Sequence, residues 1–224
     1  MKGKIIDLTH TIHSDIPGWD GSCGFKMDMV LDYKDCAEPY VFRKHEIQTP
    51  SGIGTHIDSP SHCAPGGKTV SDLDIDNLVT ECIVIKNTES DNENYIFMPE
   101  SILEFEEKNG KIKPNTFVIF YTTWNKYWES PEKYINNHKF PSVHESTAKL
   151  LLERDISGIG IDTLSADTGE YGFPVHKMIL GAGKYLVENI ANANMLPEKG
   201  CEVFILPMKI KDAAESPVRM VATI

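Results

Sequence analysis

Histidine and aspartate, two residue types that bind divalent metals, occur together in the segment Ser51–His62, which reads SGIGTHIDSPSH. His56 and Asp58 are two residues apart, so an extended backbone would direct both side chains to one face. An imidazole nitrogen and a carboxylate oxygen placed in this way can bind one ion at about 2.1 Å, as zinc requires. Pro60 rigidifies and bends the chain after the pair, so His62 can turn back towards the same point. The spacing alone is a weak indication of a metal site, because single His-x-Asp pairs are common.

The elements that would position these residues alternate between strands and helices in the second half of the chain. Compact apolar runs predict strands, and apolar residues at helical spacing predict helices. The predicted strands are Lys4–Leu8, Met27–Tyr33, Tyr40–Gln48, Glu81–Lys86, Phe117–Tyr121, Gly158–Asp162, Val203–Leu206 and Val218–Ile224, and the predicted helices are Pro99–Asn109, Ser142–Arg154 and Lys177–Asn192. We therefore predict an α/β architecture, with residues 1–224 forming a single domain that contains a mixed β-sheet flanked by helices.

The composition excludes several classes of protein. The formal net charge of the 224 residues is −11 and the basic residues form no dense patch, so we expect no nucleic-acid partner. No stretch approaches the ~18 consecutive apolar residues of a membrane-spanning helix, and the first residues lack the apolar run of a signal peptide. We therefore expect no membrane partner and a cytoplasmic location. The five cysteines are scattered without a CxxC pair, which argues against disulfides and a zinc–thiolate site.

The segment GTHIDSPSH resembles the signature HxGTHxDxPxH of the cyclase-like metal hydrolases, the family of bacterial kynurenine formamidase (arylformamidase) and isatin hydrolase. Further segments resemble the same family in the same order along nearly the whole chain. They are IIDLTHTIHSDIPGWDG, FVIFYTTWNKYW, GIGIDTLSADTG, FPVHKMILGAGKYLVENIANANMLP and AESPVRMVATI. The resemblance implies a fold like that of kynurenine formamidase, of the swivelling β/β/α type.

The resemblance also implies roles for individual residues. The metal-binding residues of the family correspond to His56, Asp58, His176 and Glu188, with Glu188 on the helix that follows His176. The histidine that closes the signature and shuttles protons corresponds to His62. A divalent metal is implied, zinc first and manganese as the alternative, because mixed nitrogen and oxygen ligands suit both. Family members assemble as homodimers or homotetramers in which the N-terminal segment reaches a neighbour's active site.

One position departs from the family pattern. Gly52 stands where the signature has its first histidine, and in members with two metals that histidine binds one of them. Its loss would leave only His56 and Asp58 at the first metal position, below the three protein ligands usual for catalytic zinc. We therefore predict about one metal per subunit, bound at a site that includes Asp58, His176 and Glu188. The alternative is that His45, Gln48 or His62 supplies the missing ligand.

The leading functional prediction is a hydrolase that activates water with its metal and cleaves an amide, lactam or ester bond of a small, aryl or cyclic substrate. Two alternatives stay open. The same metal could activate a carbonyl in a cyclase or lyase, or the chain could be a metal-binding or ligand-binding protein that has lost catalysis. Gly52 favours the last alternative, whereas the presence of His62 argues against it, because a binding protein has little use for a proton shuttle.

Other residues have weaker claims to a function. Trp124 and Trp128 could supply an aromatic wall for a flat substrate, or they could equally pack in the core. His10 is expected to be a structural or surface histidine. Cys63 follows His62 directly, but no Cys/His/Asn arrangement supports a nucleophile there. Asp167 is expected to stabilise its loop rather than to take part in chemistry.

Overall fold

The structure is a computed structural model that describes residues 3–87 and 92–224. Residues 1–2 and 88–91, which the single-domain prediction also includes, lie outside this part. Twelve strands occur in the described residues: β1 (Ile5–Asp7), β2 (Lys26–Leu31), β3 (Lys44–Gln48), β4 (His56–Asp58), β5 (Val79–Lys86), β6 (Ile96–Phe97), β7 (Phe117–Tyr121), β8 (Ser142–Val143), β9 (Gly158–Ile161), β10 (Tyr185–Glu188), β11 (Cys201–Pro207) and β12 (Glu215–Thr223). The helices of the same part are α1 (Ile75–Leu78), α2 (Pro99–Asn109), α3 (Pro131–Ile135), α4 (Glu145–Glu153) and α5 (Pro174–Gly181), with short 3₁₀ turns between elements.

Eight strands form one mixed sheet in the order β1, β12, β11, β5, β7, β9, β10, β4. The four central strands run parallel to one another, namely β5, β7, β9 and β10. The remaining pairs of this sheet are antiparallel. The sheet closes into a barrel-like ring because the first residues of β12 pair with β4 before its later residues pair with β11 and β1. Two small sheets, β2 with β3 and β6 with β8, complete the architecture. The predicted mixed α/β fold is confirmed.

The alternation of side chains along the central strands divides the core in two. In β7, Phe117 and Ile119 pack into a core shared by both arms of the closed sheet. Val118 and Phe120 of the same strand face a second core beneath α2, α4 and α5. A strand buried on both faces is apolar at every position, which is why FVIFY reads as an unbroken apolar run. Its bounds, and those of α2, are the predicted ones.

The predicted helix Lys177–Asn192 is wrong in its second half. Helix α5 ends at Gly181, and Gly183 follows with φ +77°, a conformation that favours glycine and ends a helix. The chain then forms β10, whose Tyr-Leu-Val sequence suits a strand buried between β9 and β4. Glu188 is therefore the last residue of a strand and not a helical residue.

Helix α4 is shorter than predicted at its N-terminus. Ser142 and Val143 form β8, and the imidazole of His144 caps α4 by accepting a hydrogen bond from the Ser146 amide at 3.2 Å. Within the described ranges, the helices are all too short or too polar to cross a bilayer.

Candidate metal centre

Strand β4 lies between β10 and β12, and its register with both strands brings four acidic and imidazole side chains together. Across β10, His56 is opposite Glu188, and across β12, Asp58 is opposite Glu215. Ile57, between the two, packs into the first core, so His56 and Asp58 face the other side of the sheet. Directly opposed residues of antiparallel strands have Cβ atoms about 4.5–5.5 Å apart, close enough for their side chains to share an ion.

His176 reaches the same place from α5. Pro174 occupies the first helical turn, where its missing N–H costs nothing, and Phe173 precedes it in the left-handed conformation. The chain therefore turns sharply into the helix, and the ring of His176 faces β4 and β10. Its Nε2 lies 3.2 Å from Glu188 Oε1 and 3.6 Å from Asp58 Oδ2.

Each carboxylate at the centre presents one oxygen to each imidazole. Asp58 Oδ1 lies 3.5 Å from His56 Nε2, whereas Oδ2 of the same residue faces His176. Glu188 behaves alike, since its Oε2 lies 3.6 Å from His56 Nε2 and its Oε1 faces His176. The geometry thus defines two adjacent positions for a cation, with Asp58 and Glu188 between them.

Hydrogen bonds at the far side of each ring orient the two imidazoles. His56 Nδ1 lies 2.9 Å from the Gly54 carbonyl oxygen, which can only accept, so Nδ1 is the protonated nitrogen. His176 Nδ1 lies 2.5 Å from Asp167 Oδ1 and donates its proton to that carboxylate in the same way. In the neutral form of each ring, the lone pair of Nε2 consequently faces the carboxylates, which is the arrangement of metal-binding histidines.

Asp167 thus has a role that the sequence did not indicate. Besides contacting His176, its Oδ2 accepts a hydrogen bond from the Val175 amide at 2.5 Å, so the expected stabilisation of the loop is also present. The carboxylate is buried and joins the loop after β9 to the start of α5. The sequence could have indicated this role through an aspartate that precedes a histidine, with a proline turn between the two residues.

The residues present fit a divalent metal. Asp58 Oδ1 is buried and has no hydrogen-bond partner, a costly condition that a cation would relieve. One ligand atom from each of Asp58, His176 and Glu188 lies within 4.8 Å of the others, and the three residues are buried. Imidazole nitrogens and carboxylate oxygens are also the donors that zinc and manganese accept. The four residues predicted as ligands are therefore brought together, and their assignment to a metal stays a prediction.

The electrostatics of the cluster favour positive charge. Burial is the largest influence on His176 and disfavours its charged form, but hydrogen bonds to the surrounding carboxylates raise the pKa of His176 well above its ordinary value. Burial also acts most strongly on His56, and the charges of Asp58 and Glu188 nevertheless raise the pKa of His56. A bound metal would replace these protons, because metal and proton compete for the same lone pairs.

The sequence analysis did not single out Glu215, although this residue belongs to the segment AESPVRMVATI. One ligand atom from each of His56, Asp58 and Glu215 lies within 4.8 Å of the others. The first metal position therefore has three donor residues nearby, and the inference that only two protein ligands remain there is wrong. Of the three substitutes considered, His45 and Gln48 lie on the exposed strand β3.

His62 lies at the rim of this cluster. It ends a 3₁₀ turn that Pro60 begins, and its side chain is 35% exposed. Its ring centroid is 6.2 Å from that of His176, and its Nδ1 lies 3.9 Å from Glu215 Oε1. The bend predicted at Pro60 does turn His62 towards the site.

The weaker candidates from the sequence lie in structural environments. Trp124 and Trp128 are buried in a third apolar cluster, and the Trp124 indole donates a hydrogen bond to the Tyr134 carbonyl at 2.8 Å, so they pack in the core. His10 stacks on Trp128 at 3.9 Å between centroids, and burial lowers the pKa of His10 to about 4, which makes it a neutral structural residue. Burial raises the pKa of the Cys63 thiol, because it disfavours the charged thiolate that a nucleophile would need.

A groove of about 890 Å³ borders the cluster at Asp167. Trp19 lines it and stacks on His138 with ring centroids 4.2 Å apart. Phe173 connects this pair to the metal centre, since its ring lies 5.7 Å from Trp19 and 5.7 Å, edge-on, from His176. A series of aromatic rings therefore leads from the groove to the cluster.

Comparison with known proteins agrees with this architecture. The model of the Cyclase family (Putative cyclase) matches residues 6–168. A kynurenine formamidase from Bacillus cereus is 28% identical over 218 residues, covering 96% of this chain and 95% of that protein. An isatin hydrolase from Roseibium aggregatum is 27% identical over 188 residues, covering 76% of this chain and 71% of that protein. The structure of isatin hydrolase A from Labrenzia aggregata bound to benzyl benzoate matches with a TM-score of 0.86 at 29% identity, covering 99% of this chain and 93% of that one.

These relatives are named as hydrolases, and the prediction of an enzyme of that class is confirmed at this level. The matched region contains β4, His62 and Asp167 but ends before His176, Glu188 and Glu215, so the second half of the cluster rests on the geometry above. Because the family model matches well over half of its residues, the chain belongs to the cyclase family.

Proposed function

We propose that this protein is a metal-dependent hydrolase that cleaves an amide, lactam or ester bond of a small aryl substrate. The observation that carries the proposal is the convergence of Asp58, His176 and Glu188, all buried, together with Asp58 Oδ1, which faces His56 and has no hydrogen-bond partner. A buried carboxylate oxygen without a hydrogen-bond partner, next to two buried imidazoles, is costly unless a cation binds there. The names of the relatives, isatin hydrolase and kynurenine formamidase, support small aromatic substrates.

In the proposed reaction His56, Asp58, His176 and Glu188 bind a divalent metal, zinc or manganese. When bound, such a metal lowers the pKa of water towards neutrality and polarises a carbonyl group. His62 accepts the proton of the attacking water at Nε2, the nitrogen that does not face Glu215, and returns it to the leaving amine or alkoxide. The partial exposure of His62 lets it exchange the proton with solvent.

The aromatic rings beside the cluster would bind the substrate. Trp19 is 39% exposed in the groove, so a flat ring can stack on it at little cost. Phe173 lies between Trp19 and His176, at 5.7 Å from each, and would align the scissile carbonyl with the metal centre. Trp19 and Phe173 thus take the role of the aromatic wall considered for Trp124 and Trp128.

A chelator experiment with a substrate panel tests the proposal. Purified protein should contain metal after dialysis, hydrolyse at least one aryl formamide, lactam or aryl ester, lose turnover with chelator and regain it with Zn²⁺ or Mn²⁺. Metal-replete protein that leaves the whole panel intact would contradict the hydrolase assignment. In parallel, His62→Ala should lower turnover by roughly 10²–10⁴-fold at nearly unchanged metal content, the range for a lost general acid–base. Lys113→Ala, which removes an exposed side chain, is the control and should retain both.

We also propose a cytoplasmic homodimer or homotetramer. The hairpin formed by β2 and β3 leaves an apolar face in solvent, with Met27 paired in register with Ile47 and both more than half exposed. A contiguous exposed apolar face favours contact with another copy of the chain. Light scattering after size exclusion should give a dimer or tetramer mass, and Ile47→Lys should shift it downward. A monomeric wild-type protein would contradict the proposal.

A further inference from the structure

Gly52 and Glu215 compete for the same space beside the metal centre. A Cβ atom added at Gly52 would overlap Glu215 Oε1 and would lie 3.4 Å from His56 Nε2. The backbone of Gly52 lies outside the left-handed region, so its conformation does not require glycine. The carboxylate of Glu215 therefore occupies the place that a side chain at position 52 would fill.

Two contacts direct the Glu215 carboxylate towards the centre. Its Oε2 accepts a hydrogen bond from Ser51 Oγ at 3.1 Å, which leaves Oε1 facing His56. Strand pairing places Glu215 directly opposite Asp58, whose buried Oδ1 has no hydrogen-bond partner. The carboxylates of Asp58 and Glu215 beside the single imidazole of His56 carry more negative charge than one imidazolium can balance, and a divalent cation would compensate this charge.

We propose that Glu215 is the third protein ligand of a second metal position, formed with His56 and Asp58, and that it replaces the side chain absent at Gly52. The inference rests on the proposed function in so far as the cluster must bind metal. The two positions then have equivalent donor sets, because His176, Asp58 and Glu188 also supply one nitrogen and two carboxylates. The chain would accordingly hold two metals per subunit, in place of the single metal predicted from the absence of a histidine at position 52. The oxygen-rich donor set favours hard ions such as Mn²⁺ more than two histidines would.

Titration of chelator-treated protein with Mn²⁺ tests this without any assay of activity. Wild-type protein should bind two Mn²⁺ per chain, counted by the electron paramagnetic resonance signal of free Mn²⁺ and by calorimetry. Glu215→Gln keeps the size of the side chain and removes its charge. It should weaken one of the two sites by at least the roughly 10–100-fold that loss of an outer-shell partner costs. Glu202→Gln, an exposed carboxylate on β11, is the matched control and should bind two ions as before.

A reciprocal exchange guards against misfolding of the single variants. Glu215→Ala should lose one site, and the double variant Gly52→His with Glu215→Ala should regain it, with a higher Zn²⁺ to Mn²⁺ affinity ratio than wild type. Failure of the double variant to regain the site would contradict the replacement. Thermal unfolding of the metal-free proteins verifies that all variants are folded.

The outcomes separate this inference from the proposed function. Two sites of unchanged affinity in Glu215→Gln would overturn the inference. If this variant also lost turnover while it retained both ions, Glu215 would act on His62 and not as a metal ligand. One site in wild type that Glu215→Gln leaves unaffected would also overturn the inference, while the proposed function would stand. Wild-type protein that binds no metal would refute the proposed function itself.

Discussion

Asp167→Asn is the perturbation that tests how the protein prepares His176 for metal. The two side chains have nearly the same shape, but asparagine offers one oxygen where Asp167 uses two. In the structure those oxygens accept from His176 Nδ1 and from the Val175 amide, each at 2.5 Å. An asparagine can accept from only one of these donors and presents its NH₂ group to the other.

The consequence for metal binding can be worked out from this contact. If the asparagine oxygen stays with the Val175 amide, its NH₂ group faces His176 Nδ1, and the ring must then carry its proton on Nε2. That proton would lie between His176 and the carboxylates of Asp58 and Glu188, where the metal is expected. Loss of such outer-shell partners costs about 10–100-fold in metal affinity, or about 1.4–2.8 kcal/mol.

Isothermal titration of the metal-free protein with Mn²⁺ measures this loss. Asp155→Asn is the matched control, because it removes the same charge from an exposed aspartate that pairs with Lys184 at 2.7 Å. Asparagine also tolerates the φ of +53° at Asp155. Affinity of Asp167→Asn within twofold of wild type would refute the reasoning, since His176 would then bind metal without orientation by a carboxylate.

Three further predictions concern stability. Chelation should lower the melting temperature by roughly 5–11 °C in calorimetry, because a ligand at 100 times its Kd contributes about 2.7 kcal/mol and each kcal/mol is worth about 2–4 °C at this size. The Arg154 guanidinium, with Lys111, lowers the pKa of Glu106 to about 2. The ionised Glu106 carboxylate therefore stabilises the fold fully above pH 4.5, and its contribution to the free energy of unfolding is lost as pH falls towards 2. Because solvent screens this ion pair in part, urea unfolding should show on the order of 2 kcal/mol of this loss in wild type and not in Glu106→Gln. Phe120→Ala should cost about 3–5 kcal/mol in urea unfolding, whereas Phe42→Ala, 55% exposed, should cost little.

Each of these has a contrary result. A melting temperature unchanged by chelator would mean that the cluster is stable without metal. Equal acid sensitivity of wild type and Glu106→Gln would assign the pH dependence to other carboxylates. Equal effects of the two phenylalanine substitutions would contradict the two-sided burial of β7.

The sequence by itself determined the features that depend on neighbouring residues. The apolar run FVIFY defines β7 because a strand buried on both faces is apolar throughout, and α2 begins at Pro99 and ends before Gly110, as helix punctuation predicts. The pair His56 and Asp58 is likewise local, since a strand directs residues two apart to one face. The family resemblance added His176 and Glu188 but placed Glu188 on a helix, because the apolar residues before it suit either element.

Only the tertiary structure decided which distant residues complete the cluster. Glu215 reaches Asp58 because β12 closes the sheet onto β4, and Asp167 reaches His176 because α5 folds back over the loop after β9. Register between strands far apart in sequence is selected by the packing of the whole sheet, so no local pattern reports it. The glycine at position 52 reads in sequence as a missing ligand, and in the structure it is the space into which the Glu215 carboxylate extends.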